Sequence, residues 1–168
     1  LLMFGEGNSV IYSPATPVNS AVGAYYNGRI TLADVTVEVN NNTRHGIIAY
    51  GGGSVVLSGV SVLQTEEPPT TAFATTLAVF RNGLATLSGD NRLSGRTNGL
   101  YIDAGKVYID SGTLEIDANH RGIYARNHSL LWDRSSNFSI SGPEAVLLYN
   151  NSVWTREFTP GPLIIEGD

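Results

Sequence analysis

A chain of 168 residues with a net charge of −5 and only 15% charged residues lacks the cationic stripe that holds nucleic acid. No apolar run is long enough for a membrane-spanning helix, and the composition is too apolar for intrinsic disorder. The sequence contains no cysteine, which excludes disulfide scaffolds, thiolate metal sites and thiol nucleophiles together.

Gly, Ser, Thr and Asn mixed with Val, Ile and Leu predict many short strands joined by tight corners. Taken in chain order, the predicted strands repeat. Ser9-Val10-Ile11-Tyr12 opens the series: a small or polar residue, an apolar one, any residue, then an apolar one. Gly23-Ala24-Tyr25-Tyr26 precedes its second copy, Arg29-Ile30-Thr31-Leu32, and Val35-Thr36-Val37 follows. The next lap reads Gly46-Ile47-Ile48-Ala49, Ser54-Val55-Val56-Leu57 and Val60-Ser61-Val62. Then comes Gln64 to Thr71 (QTEEPPTT), read as a loop inserted at a corner of a single domain spanning 1–168. Leu84-Ala85-Thr86-Leu87 resumes the pattern. Gly99-Leu100-Tyr101-Ile102, Lys106-Val107-Tyr108-Ile109 and Leu114-Glu115-Ile116 form another lap. Gly122-Ile123-Tyr124-Ala125, Ser129-Leu130-Leu131-Trp132 and Phe138-Ser139-Ile140 form the next. Ala145-Val146-Leu147-Leu148, Ser152-Val153-Trp154-Thr155 and Leu163-Ile164-Ile165 close the series.

Copies of the opening phrase end 20 to 30 residues apart, with the last intervals at 22 or 23. Three short alternating stretches in so few residues describe one coil of a parallel β-helix rather than a hairpin sandwich. The predicted fold is all-β: a right-handed, three-sided parallel β-helix (a solenoid) of about seven partial coils, part of a longer rod. Ile30, Val55, Ala85, Val107, Leu130 and Val153 form one predicted inward column. Leu32, Leu57, Leu87, Ile109, Trp132 and Thr155 form the second.

The outward positions carry the functional signal. On the first strand of each lap they read Tyr25, Ile48, Ala78, Tyr101, Tyr124 and Leu147. On the second they read Thr31, Val56, Thr86, Tyr108, Leu131 and Trp154. Toward the C-terminal half these columns turn apolar and aromatic, and such a patch marks a partner surface when exposed. Tyr101, Tyr124, Leu147, Tyr108, Leu131 and Trp154 are therefore candidate partner-binding residues, although aromatic ladders also stabilise sheets by stacking. A slip of one residue in the last coil would send Trp154 inward. Glu66, Glu67, Pro68 and Pro69, on the inserted loop, are the second candidate group.

His45 to Val62 (HGIIAYGGGSVVLSGVSV), Asn98 to Asp117 (NGLYIDAGKVYIDSGTLEID) and Arg121 to Gly142 (RGIYARNHSLLWDRSSNFSISG) resemble passenger domains of bacterial autotransporters, closest in flavour to the pertactin-like kind. The resemblance runs from Gly23 to about Ile165 and rests on composition and period. It implies a virulence-associated, adhesin-type rod. After periplasmic transit such a rod is secreted or displayed at the cell surface of the outer membrane. It binds a host protein or glycan non-covalently, for example a cell-surface receptor or a serum or complement regulator. It also implies a translocator barrel C-terminal to this segment, and no membrane insertion by the segment itself. Lack of cysteine fits a chain threaded through a pore.

Polysaccharide lyases and hydrolases use parallel β-helices too, so the alternative reading is a carbohydrate-active enzyme or a phage-tailspike-like polysaccharide binder. Glycoside hydrolysis needs carboxylates converging on one cleft. The richest stretch holds Asp103, Asp110, Glu115, Asp117 and Asp133 with Lys106, Arg126 and Arg134. In the expected register Asp103 lies over Arg126, and Asp110 over Asp133 with Arg156 beyond. These read as corner turns with surface ion pairs. His45, His120 and His128 lack ligand spacing and are placed at surface corners. No catalytic, cofactor-binding or metal residue is assigned, and the expectation is a binding protein rather than an enzyme.

Overall fold

The computed structural model describes residues 2–12, 18–66, 74–157 and 163–167, and no helix occurs among them. Sixteen strands follow in chain order. They begin with β1 (Leu2–Tyr12), β2 (Val18–Tyr25), β3 (Arg29–Val39), β4 (Thr43–Tyr50), β5 (Ser54–Ser58) and β6 (Ser61–Gln64). They continue with β7 (Thr75–Phe80), β8 (Leu84–Ser88), β9 (Asn91–Asp103), β10 (Lys106–Ile109) and β11 (Thr113–Arg126). The series ends with β12 (Leu130–Asp133), β13 (Asn137–Ser141), β14 (Glu144–Leu148), β15 (Val153–Arg156) and β16 (Leu163–Glu166). Every pairing is parallel, and the strands wind into a three-sided β-solenoid of about six turns.

The sides follow from the register. One stacks β2, β4, β7, the second half of β9, the second half of β11, and β14. The next stacks β3, β5, β8, β10, β12 and β15. The third stacks the second half of β3, β6, the first half of β9, the first half of β11, β13 and β16. Long strands such as β9 and β11 run round a corner and serve two sides. Alternation on every side sends Val37, Leu57, Ile47, Leu100, Ile116 and their neighbours into one continuous core. A single lap has no partner for that face; stacking supplies it.

The recurrent Gly-Ile and Gly-Leu pairs have a steric cause. A Cβ on Gly99 would sit 2.2 Å from Ile116 Cγ2, and one on Gly122 2.2 Å from Ile140 Cγ2 and 2.5 Å from the Ala145 carbonyl oxygen. The chain enters the first side tight against an inward side chain of the third. Gly122→Ala is expected to lower stability by about 2 kcal/mol through overpacking, read as a fall in thermal midpoint; an unchanged midpoint would contradict the close approach.

The predicted columns hold through Ile109, and Ile30, Val55, Ala85, Val107, Leu32, Leu57 and Leu87 all lie inward and buried. Beyond that point they slip by one. Val107 pairs with Leu131 and Ile109 with Asp133, then Leu131 with Trp154. Leu130, Trp132, Val153 and Thr155 therefore face outward, and Leu131 and Trp154 face the core. The reason lies in the preceding corner. A hydrogen-bond chain links Gly28, Gly53, Gly83, Gly105 and Ser129 through the residues that follow them. Ser129 thus occupies the glycine position and not the first strand position. The turn before it holds two left-handed residues, Asn127 (φ 60) and His128 (φ 59), as do the turns at Tyr26 and Asn27, Gly51 and Gly52, and Arg81 and Asn82, whereas the Ala104 turn holds one. Counting Ser129 as the first strand residue starts the phrase one place early, and with a period of two that exchanges the faces.

Candidate functional site

The outer surface of the first side carries two neighbouring columns. Gly23, Ile48, Ala78, Tyr101, Tyr124 and Leu147 form one. Tyr25, which the sequence placed in that column, belongs to the other, with Tyr50, Phe80, Asp103 and Arg126. An aromatic ladder runs through both. Tyr25 and Tyr50 lie 6.1 Å apart by ring centroid, Phe80 and Tyr101 4.9 Å, Tyr101 and Tyr124 4.8 Å in a near-parallel stack, and Tyr124 and Tyr149 6.2 Å. Each partner sits a lap or less away, so sheet spacing sets the stacking distance.

Ile48, Ala78 and Tyr101 point outward yet are buried, Tyr101 being 4% exposed. The His45 and Phe80 rings meet edge to face at 5.4 Å, closing over that column from its two flanks. The expected surface position for His45 is thereby overturned: its side chain is 3% exposed. His120 and His128 are exposed as expected, and His120 lies 3.7 Å from Glu144.

Arginines frame the ladder. Arg81 lies over Tyr50 at 5.5 Å, Arg126 over Tyr101 at 5.5 Å, and Arg121 over Tyr124 at 5.0 Å. Where these pieces meet there is a cleft of about 170 Å³. Tyr50, Phe80 and Tyr101 form its aromatic lining, His45 also faces it, and Arg44, Arg81, Arg126 and Asp103 supply its charges. Asp103 accepts two hydrogen bonds from Arg126, at 2.9 and 2.7 Å, and one from Asn127 at 2.7 Å. Asp103 and Arg126 thus pair as the register predicts. Three guanidiniums against one carboxylate make this a cationic locus on an acidic chain.

Burial, reinforced by Arg44 and Arg96, pushes the His45 imidazole down to about 3. Burial pushes the Tyr101 phenol up to about 12. Both are neutral at physiological pH, and neither is poised for proton transfer there. The cleft can attract an anion and stack a flat face; it is not built to move a proton.

The other predicted residues scatter. Leu147 is half-buried on the same column as Tyr124. Tyr108 is half-buried on the second side, with Trp132 beside it. Leu131 is fully buried, and Trp154 packs against the core with its ring 5.5 Å from Phe138, so neither lies on an outer surface. Glu66 is exposed and accepts the Asn41 backbone N–H at 2.9 Å. Glu67, Pro68 and Pro69 fall outside the described residues.

The carboxylates do not converge. Glu115 pairs with Arg92 at 3.5 Å on the surface, and Asp117 accepts from Ser141. Asp133 is fully buried, 3.3 Å from Arg156, and accepts from the Ser135 amide and hydroxyl. It stands opposite Ile109 rather than Asp110, a consequence of the same slip. No group of three or more His, Asp or Glu able to hold a metal occurs among the described residues.

Sequence reading missed Arg44, His45, Tyr50, Phe80 and Arg81. The available signal was the aromatic column two positions beyond Ile48 and Ala78. No family model, curated protein or solved structure matches this chain.

Proposed function

We propose that this chain is the binding rod of an autotransporter-like passenger, secreted or displayed at a bacterial surface, which holds a host macromolecule non-covalently through the outer face of its first side. The observation that carries the reading is the arginine-framed aromatic ladder with its cleft, held on a stiff parallel solenoid. Aromatic residues and arginine dominate binding hot spots because they bring large contact area and strong donors at low entropic cost. A neutral imidazole and a neutral phenol beside dispersed carboxylates favour binding over turnover. The absence of cysteine is consistent with passage through a secretion pore.

The test is saturable binding of the fluorescently labelled chain to cultured epithelial cells, repeated with Tyr50→Ser, Arg81→Ser and Tyr124→Ser combined. Two or three hot-spot losses should weaken binding at least about tenfold while circular dichroism stays unchanged. Unaltered binding by the triple variant would remove this face from the account. Steady release of reducing ends from a polysaccharide panel would instead favour the carbohydrate-active enzyme.

A further inference from the structure

We propose that the cleft between Tyr50, Phe80 and Tyr101 is a subsite for one carboxylated sugar residue, such as a uronic or sialic acid at the end of a glycan. The proposal rests on the binding role argued above and names its ligand. Four features of the cleft select that chemistry.

Size comes first. A cleft of about 170 Å³ suits a single ring and not a peptide segment. Charge comes second. Arg81 is exposed and lies over the Tyr50 face, and Arg126 stands close by. A guanidinium grips a carboxylate through two parallel hydrogen bonds.

The third feature is Asp103. Its carboxylate faces the same cleft, where it would repel a compact dianion such as sulfate or phosphate. The three hydrogen bonds it receives leave acceptor capacity for a hydroxyl. A ligand that suits both Arg81 and Asp103 carries an acid group and O–H donors together, as an acidic sugar does and an aromatic acid does not. The C–H face of such a ring lies well over the negative face of an aromatic side chain.

His45 supplies the fourth. It is 3% exposed, lines the cleft, and its Nδ1 has no hydrogen-bond partner among the described residues. A buried polar atom left unpaired is costly, and an absent ligand is one way to satisfy it. A ring hydroxyl meets that need where the imidazole turns its Nδ1 edge toward the cleft.

Titration of the ¹⁵N-labelled chain with glucuronate and with N-acetylneuraminate, to about 20 mM because single sugars bind near the millimolar range, tests this directly. Glucose and inorganic sulfate are the comparison arms. Saturable shifts of the Tyr101, Asp103 and Arg126 amides by an acidic sugar, at least about tenfold weaker with glucose, support the subsite. So does a comparable loss in Arg81→Gln, an exposed position whose exchange leaves the core alone, and in Arg126→Gln. Equal response to glucose, equal response to sulfate, or no response at all would overturn it. Cell binding that survives without any sugar response sinks the ligand assignment and leaves the binding role standing. A sugar response in a chain that shows no saturable cell binding does the reverse.

Discussion

Exchange of Arg96 for methionine is expected to cost about 4 kcal/mol of stability, because several buried carbonyls lose their donor at once. Arg96 is 1% exposed. Its Nη1 donates to the Gln64 side-chain oxygen and to the Asn40 carbonyl, the latter at 3.3 Å. Its Nη2 donates to the Thr43 carbonyl and, at 3.4 Å, to that of Arg44. Burial lowers its pKa to about 10, so it remains a cation at neutral pH, solvated by backbone dipoles in place of water. One fork thus fastens the end of β6 and the turn between β3 and β4 to β9. Methionine keeps the stem and removes the fork. Lysine, a point charge on a longer stem, should recover little of the loss. Urea midpoints of the three proteins decide the matter, and a loss below about 1 kcal/mol for methionine would mean that the carbonyls find other donors. Arg44 and His45 follow Thr43 directly, so the same exchange should also loosen the cleft.

Acidification supplies the second large effect. The His45 pKa falls from 6.5 to about 3 on folding, so between those values the unfolded chain binds a proton that the folded chain refuses. Stability is therefore full above pH 6.5 and declines as the pH drops through that window. One pKa unit corresponds to 1.36 kcal/mol, which gives a loss of about 2 kcal/mol by pH 5 and about 4 by pH 3.5. Burial, with the charges of Arg44 and Arg96 beside it, keeps the imidazole from charging. Carboxylates elsewhere add their own slope at the acid end, so the informative quantity is the difference between the native chain and His45→Gln. That difference should grow steadily below pH 6.5. A pH-independent difference would mean that His45 is protonated in place or reaches water.

Arg96 and His45 also show where sequence reading stops. His45, before a glycine, reads as a surface corner, and nothing in the sequence marks Arg96 for burial, since charged and titratable side chains are seldom buried. Their burial depends on a bulge at Gly95 (φ 85) and on a ring contact with Phe80 from the next lap. Neither is encoded by local pattern. The Asp103–Arg126 pair was legible because it needs only the register, one lap on. Leu131 and Trp154 were misplaced because a serine took a glycine's corner position, an exchange that preserves the look of the phrase while moving its phase.

What the sequence determined alone was the solenoid itself: the lap length, the three strands per lap and the inward columns as far as Ile109. These follow from alternation and from turn residues, and both act over a few neighbouring positions. The tertiary structure decided which outward residues are covered, where the phase slips and how aromatic rings and arginines from successive laps enclose one cleft. Those outcomes come from side chains about 23 residues apart in sequence and one sheet spacing apart in space, a proximity that only the wound chain creates.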